Sequence, residues 1–207
     1  MSIGRPGFRL GYVDQFPLVV GNDILVGYGF TARMMKRIRS DEGLAYSAYA
    51  SLGFPVTIPG EFRAFYQSKS STCAYAAEIF FRLLDDMRTT AATEEEIRTT
   101  KASFIDTFPN QFASAAQVVG LYAVDEILGR EHEYWVEYRD NVAAVNAEEI
   151  QKAMKKNLDP ETMIMLVVGN IEEIMKGHPE HDAKLTDFGE IKHLPLRDPM
   201  TLEPIDD

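Results

Sequence analysis

A helix that runs into a strand with almost no linker fixes most of what this chain can become. In the segment Phe30 to Leu52, FTARMMKRIRSDEGLAYSAYASL, the apolar spacing is helical in the first half and alternates in the second, so one tight connection joins the two element types. The helix is predicted to open at Thr31 and close at Gly43, and the strand to begin at Leu44. On a wheel of about 100° per residue, Met34, Met35 and Ile38 form an apolar arc with Arg39 just past its edge. Alternation sets Leu44, Tyr46, Ala48, Ala50 and Leu52 on one strand face and Ala45, Ser47, Tyr49 and Ser51 on the other. Arg39 and Tyr46 therefore flank the connection with two long polar side chains. On these residues alone two readings stay open. A cation in a last helical turn complements the helix dipole and a strand tyrosine commonly packs, yet both groups are also donors suited to a carbonyl or a developing oxyanion.

The rest of the chain supplies the elements that such a junction needs. Ile3 to Arg9, interrupted by Pro6, reads as an edge or terminal strand. Asp14 caps a mostly apolar helix, FPLVVGNDILV, which ends at Gly27-Tyr28-Gly29. After the strand to Leu52, the loop GFPVTIPGE leads to a second alternating stretch, EFRAFYQSK, and the two make an antiparallel pair. Ser70 or Ser71 starts a long helix in which Ala76, Ile79, Phe80, Leu83, Leu84 and Met87 recur every three or four residues, the pattern of a helix laid on a sheet. Capping boxes at Thr93-Glu94-Glu95-Glu96 and Asn146-Ala147-Glu148-Glu149 open two further helices. Between them Pro109 breaks one helix, Gly129 ends the next, and Tyr134, Trp135 and Tyr138 form an aromatic stripe read as packing.

Thr162 to Val168 is a continuously apolar strand, expected to be central and covered by helices. Beyond Met175 the chain turns polar and proline-rich. This order predicts an α+β fold, a two-layer sandwich whose largely antiparallel sheet is covered on one face by helices. The domain is expected over residues 1–172 and an extended C-terminal tail over 173–207. So few strands leave a sheet edge that could accept a peptide.

Composition narrows the chemistry. The chain has 207 residues, 45% of them hydrophobic, so it can bury a core; its net charge of −11 argues against a nucleic-acid partner. The basic run Arg33 to Arg39 is short enough to be a helix face. Cys73 is the single cysteine, which leaves no disulfide framework and no cysteine metal site; its alanine neighbours mark it as buried. No apolar run approaches the ~20 residues of a membrane span. The histidines are His132, His178, His181 and His193, and neither H-E-x-x-H nor H-x-x-E-H occurs. His178 and His181 form an H-x-x-H with a proline inside it, away from the long helices that would align both rings. There is no G-x-S-x-G, and Gly27-x-Gly29 lacks the Lys-Ser/Thr of a phosphate loop. The carboxylate clusters sit at helix starts or on polar helix faces. No metal-ligand set and no cofactor site is expected in this chain.

Phe30-Thr31-Ala32-Arg33, followed by Ile38-Arg39-Ser40-Asp41-Glu42-Gly43-Leu44-Ala45-Tyr46-Ser47, resembles the signature of the zinc-free half of pitrilysin-type (insulinase-like) zinc metallopeptidases and of the related mitochondrial processing peptidase subunits. The resemblance continues through Asn22-Asp23-Ile24-Leu25, Thr93 to Glu96, Val145 to Glu149, Leu158-Asp159-Pro160-Glu161 and Val167-Val168-Gly169-Asn170. It spans about Ile3 to Glu172. In that family two homologous α/β domains or subunits enclose a chamber. One carries the inverse zinc motif with its glutamate base, and the other an Arg/Tyr pair seven residues apart.

The resemblance implies that Arg39 holds a substrate carbonyl and Tyr46 faces the oxyanion. It also implies that zinc is bound by a homologous partner domain or subunit, on whose sheet edge the peptide lies. The chain departs from the family in the glycine run after Ile24-Leu25, here Val26-Gly27-Tyr28-Gly29, and with no zinc motif it is expected to be inactive alone. The expectation is therefore the zinc-free domain of a bacterial-type metalloendopeptidase. It would be cut from a longer chain, as the start MSIGRPGFRLGY in a strand suggests, or be a separate subunit. The alternatives are a non-catalytic structural subunit of the same fold, as in respiratory-complex core proteins, and a peptide-binding domain. The tail LPLRDPMTLEP resembles those of exported bacterial members and leaves the compartment open between bacterial cytoplasm and periplasm.

Overall fold

The computed structural model describes residues 1–27, 31–55 and 57–205. Tyr28 and Gly29 of the expected glycine turn, and Phe30 at the head of the signature, lie outside the described residues. The sheet comprises β1 (Ser2–Pro6), β2 (Ala45–Leu52), β3 (Glu61–Ser68) and β4 (Ile164–Leu166). Its order is β2-β3-β1-β4, with every neighbouring pair antiparallel. One face carries the helices α1 (Gln15–Val26) and α2 (Cys73–Thr89). Beyond these lie α3 (Glu94–Thr107), α4 (Ala115–Leu128), α5 (Glu133–Ala144), α6 (Ala147–Asn157) and the short α7 (Ile171–Met175). The α+β two-layer expectation holds.

Two strand assignments exchange places. β1, expected as an edge or terminal strand because of Pro6, is central in the sheet: Ile3 pairs with Ala64 of β3 and with Met165 of β4. Pro6 is tolerated because the pairing with β4 stops at Gly4, so no ladder bond on that side needs its missing N–H. The run Thr162 to Val168, expected to be central, contributes the short edge strand β4. Only one of its faces is covered. Met163, Met165 and Val167 pack against the core, while Ile164, Leu166 and Val168 are exposed. A continuously apolar strand therefore does not here mean burial on both faces.

The core lies between the inner sheet face and α1 and α2. Ile3, Ala48, Ala50, Phe62, Ala64 and Tyr66 are buried against Leu18, Leu25, Ile79, Phe80 and Leu84, and the rings of Phe62 and Phe80 stack with centroids 6.4 Å apart. The Tyr66 hydroxyl donates to the Cys73 carbonyl at 2.8 Å, which ties the end of β3 to the start of α2. Burial pushes the Tyr66 phenol and the Cys73 thiol upward from their ordinary pKa values. Cys73 is a buried thiol, as its alanine neighbours indicate.

α6 packs on α1 so closely that a methyl group on Gly21 would lie 3.0 Å from Ile150 and Met154. Both capping boxes form as expected. Within the segment expected as a tail, Ile174, Ala183 and Leu185 are buried and Phe188 stacks on Phe81 at 5.4 Å.

Candidate functional site

The helix that leads into β2 is not an α-helix through its second half. Met35–Asp41 is a π-helix, with the Glu42 N–H bonded to the Arg37 carbonyl five residues back at 3.1 Å. Leu44 N–H then bonds the Ile38 carbonyl at 2.8 Å, and Gly43 adopts φ +63 in the left-handed region that favours glycine. Met35 and Ile38 are buried and Arg39 is half-buried, which agrees with the apolar arc. Single π turns inside helices are rare and cluster at functional sites.

A second irregularity follows the turn. Ala45 pairs with Ser68 and Ala48 with Tyr66, so Tyr46 and Ser47 together oppose the single residue Gln67. This β-bulge corrects the alternation read from the sequence. Ala45, Ala48 and Ala50 are the inward residues, and Tyr46, expected to share the inner face with Ala48, is 83% exposed. The extra residue carries the phenol to the outer face, as bulges beside active sites commonly do. The Arg39 guanidinium carbon then lies 5.3 Å from the centroid of the Tyr46 ring, within cation–π range. The two residues that the sequence singles out are brought together, with a guanidinium and a solvent-facing phenol side by side.

The junction is held from behind by its other cations. Arg33 makes a two-pronged pair with Glu96 at 2.7 and 2.8 Å. Glu96 is also the capping-box residue of α3 and accepts from the Thr93 N–H and hydroxyl, each at 2.9 Å. The Arg33 guanidinium holds the Glu96 carboxyl well below the usual range, at about 2. Arg37 pairs with Glu42 at 2.9 Å, and the Tyr75 hydroxyl reaches the same carboxylate at 3.4 Å. Arg33 and Arg37 of the basic run are thus structural; Glu96, read from the sequence only as a cap, and Glu42, assigned no part from the sequence, are the carboxylates that hold them. The bulge had a sequence signal: the small residues at 45, 48 and 50 are spaced three and then two, which no regular strand accommodates on one face.

Among the described residues no three His, Cys, Asp or Glu side chains converge to hold a metal ion. His178 and His181 are neighbours, with ring centroids 4.6 Å apart. However, His178 Nδ1 accepts the backbone N–H groups of Glu180 and His181 at 3.1 Å, and His181 stacks on Tyr75 at 3.8 Å. Among the described residues no helix is long and apolar enough to cross a membrane.

The family sequence model for the peptidase M16 inactive domain matches residues 1–104, half of the chain, and the chain belongs to this family. Among curated proteins no sequence matches. Solved structures show the same fold. The peptidase M16 inactive domain from Pseudomonas fluorescens superposes with a TM-score of 0.72 at 21% identity, over 78% of this chain and 38% of that one. A protease from Helicobacter pylori gives 0.68 at 16% identity, again over 78% and 38%. Complex III2 from Candida albicans gives 0.60 at 11% identity, over 79% of this chain and 40% of its own. The chain thus spans less than half the length of these relatives.

Proposed function

We propose that this chain is the zinc-free half of a zinc-dependent metalloendopeptidase, binding peptide and stabilising the tetrahedral intermediate while a homologous domain or subunit supplies the zinc site. The observation that carries the reading is the pairing of Arg39 with the exposed Tyr46 by two consecutive backbone irregularities. Arg39 donates to a carbonyl of the bound peptide and fixes its position. Tyr46 donates its hydroxyl proton in a hydrogen bond to the oxygen that becomes negative as the carbonyl is attacked, where a fixed donor lowers the barrier most. Neither residue supplies a nucleophile or a base, so hydrolysis requires the partner.

The test is reconstitution with the zinc-bearing homologous half and measurement of peptide hydrolysis. Arg39→Ala and Tyr46→Phe should each lower kcat/KM by about 10²-fold, the usual effect of losing an oxyanion donor. Rates within about twofold of the unaltered pair, a change too small for such a donor, overturn the catalytic role. They would favour the second reading, a structural subunit, which the fold likeness to Complex III2 from Candida albicans supports.

A further inference from the structure

Tyr75 stands in the first turn of α2 and is 6% exposed, yet part of its cover comes from a distant stretch of the chain. The His181 ring lies flat on it, with centroids 3.8 Å and planes 9° apart, and the His178 ring stands beside it at 5.3 Å. The Tyr75 hydroxyl donates to the Glu42 carboxylate at 3.4 Å. Glu42 follows the π-helix, precedes Gly43 and also holds Arg37 at 2.9 Å. A histidine loop is thereby joined, through one ring, to the turn between Arg39 and Tyr46.

The loop is short and anchored at both ends. Ile174 before it and Ala183 and Leu185 after it are buried. Gly177, at φ +72, turns the chain back so tightly that a methyl there would lie 3.3 Å from the Ala183 carbonyl oxygen. Between these anchors, one imidazole nitrogen orders the chain. His178 Nδ1 accepts the N–H groups of Glu180 and His181, each at 3.1 Å. These are the bonds that a capping Asn or Asp oxygen makes to groups two and three positions on, with a proline next, where no N–H is needed.

A nitrogen cap differs from an oxygen cap in one respect. Histidine changes charge between about pH 5 and 8. A proton on Nδ1 occupies the lone pair that both N–H groups need and leaves only donors face to face. Neutral His178 therefore closes the loop, and closure is lost as pH falls. His181 acts in the opposite sense, because a proton on it adds a cation–π attraction to Tyr75. The charges nearby are largely engaged. Arg37 is held by Glu42, and Glu78, one turn on from Tyr75, pairs with Arg82 at 3.7 Å. Lys176 pairs with Glu173 at 2.6 Å and Lys184 with Asp182 at 2.9 Å. Glu180 and Lys69 are exposed.

We propose that His178 is a pH-operated latch on the Arg39/Tyr46 turn. As it takes up a proton the loop opens, His181 leaves Tyr75, and the hold of Tyr75 on Glu42 loosens.

Proton–nitrogen correlation NMR of the chain, from about pH 8 to about pH 5, tests this, with amide exchange corrected for the intrinsic effect of pH. Protection of the Glu180 and His181 amides should fall about 5-fold, the scale of one surface hydrogen bond. The Gly43 and Leu44 amide resonances should move over the same range. His178→Asn supplies an oxygen that accepts both N–H groups and takes no proton, so it should abolish both responses. His181→Phe keeps a stacked ring without a charge and should keep both. Constant protection in the unaltered chain overturns the proposal. So does a response that survives His178→Asn, which would place the titrating group elsewhere, or one that is lost in His181→Phe. Gly43 and Leu44 resonances that stay still overturn the link to the junction. The measurement reads this chain alone and no hydrolysis, so its outcome is independent of the peptidase reading.

Discussion

Where β3 meets α2, every local rule is obeyed; where the π-helix meets β2, they are broken twice within a dozen residues. On the seam, β3 alternates strictly, Phe62, Ala64 and Tyr66 point inward, and α2 lays an apolar stripe across them. At the junction a π-helix and a β-bulge each add a residue to the regular repeat. The difference separates a region built for burial from one that presents polar side chains. Regular elements bury side chains efficiently. The bulge lets Tyr46 and Ser47 share one opposing residue between the inward Ala45 and Ala48, and the π-helix before it carries Arg39 in its last turn, beside the Tyr46 ring.

The comparison is broken most sharply by substitution on both sides of it. Phe62→Ala removes a fully buried ring stacked on Phe80 and should cost about 3–5 kcal/mol in urea denaturation. Tyr46→Ala removes a ring that is 83% exposed and should stay within about 0.5 kcal/mol. If Tyr46→Ala destabilises as much as Phe62→Ala, the junction is a packing element and the division fails.

Glu96 sits between the two regions, capping α3 while gripping the Arg33 of the junction helix. Glu96→Gln should cost about 2 kcal/mol, from a weakened cap and a lost charge-assisted pair. Its pH signature has a defined sign. The folded state holds this carboxyl at about 2 against an ordinary 4.5, so the folded chain binds the proton more weakly than the unfolded one. The stabilisation is complete above about pH 4.5 and is lost as pH falls toward 2. Thermal melts across that window should show the wild-type losing stability more steeply than Glu96→Gln; parallel curves would mean that the Arg33 pair contributes nothing.

Much of this was legible in the residues, and what was not has a physical reason. Capping boxes are local hydrogen-bond patterns, so Thr93/Glu96 and Asn146/Glu149 announce α3 and α6 directly. The long stripe of α2 and the paired strands β2 and β3 were readable from period alone. The order of strands was not, because which strand is central depends on pairings between Ile3, Ala64 and Met165, far apart in the chain. At the site, Arg39 and Tyr46 were recoverable from their resemblance to a family signature. Their proximity was not, since a 100° wheel and a strict alternation both assume the regular backbone that this junction abandons. Glu96 was seen only as a cap, because its partner Arg33 is 63 residues away.

A smaller test addresses the turn between the two irregularities. Gly43 has φ +63 and a methyl there would meet no atom, so Gly43→Ala isolates backbone strain from crowding. It should cost about 1 kcal/mol, read from the shift in the urea midpoint, with the far-UV spectrum unchanged. A neutral result would show that the turn relaxes freely and does not fix the distance between Arg39 and Tyr46.

The smallest effect on stability, and the sharpest on the comparison, is expected from deleting Ser47. The deletion removes the extra residue of the bulge, keeps Ala45 and Ala48 facing inward, and sets Tyr46 directly opposite Gln67 in a regular ladder. The strand gains continuity, so stability should hold or rise by no more than about 1 kcal/mol. The phenol, however, is re-aimed as two residues opposite Gln67 become one, while its separation from Arg39 along the chain is unchanged. If the bulge exists to position Tyr46, hydrolysis by the chain reconstituted with its zinc-bearing half should fall at least ~10-fold, the scale expected when a donor is displaced from its working geometry. A deletion that is both stable and fully active would show that the pair tolerates a regular strand, and that the irregular backbone serves some end other than the chemistry at its tip.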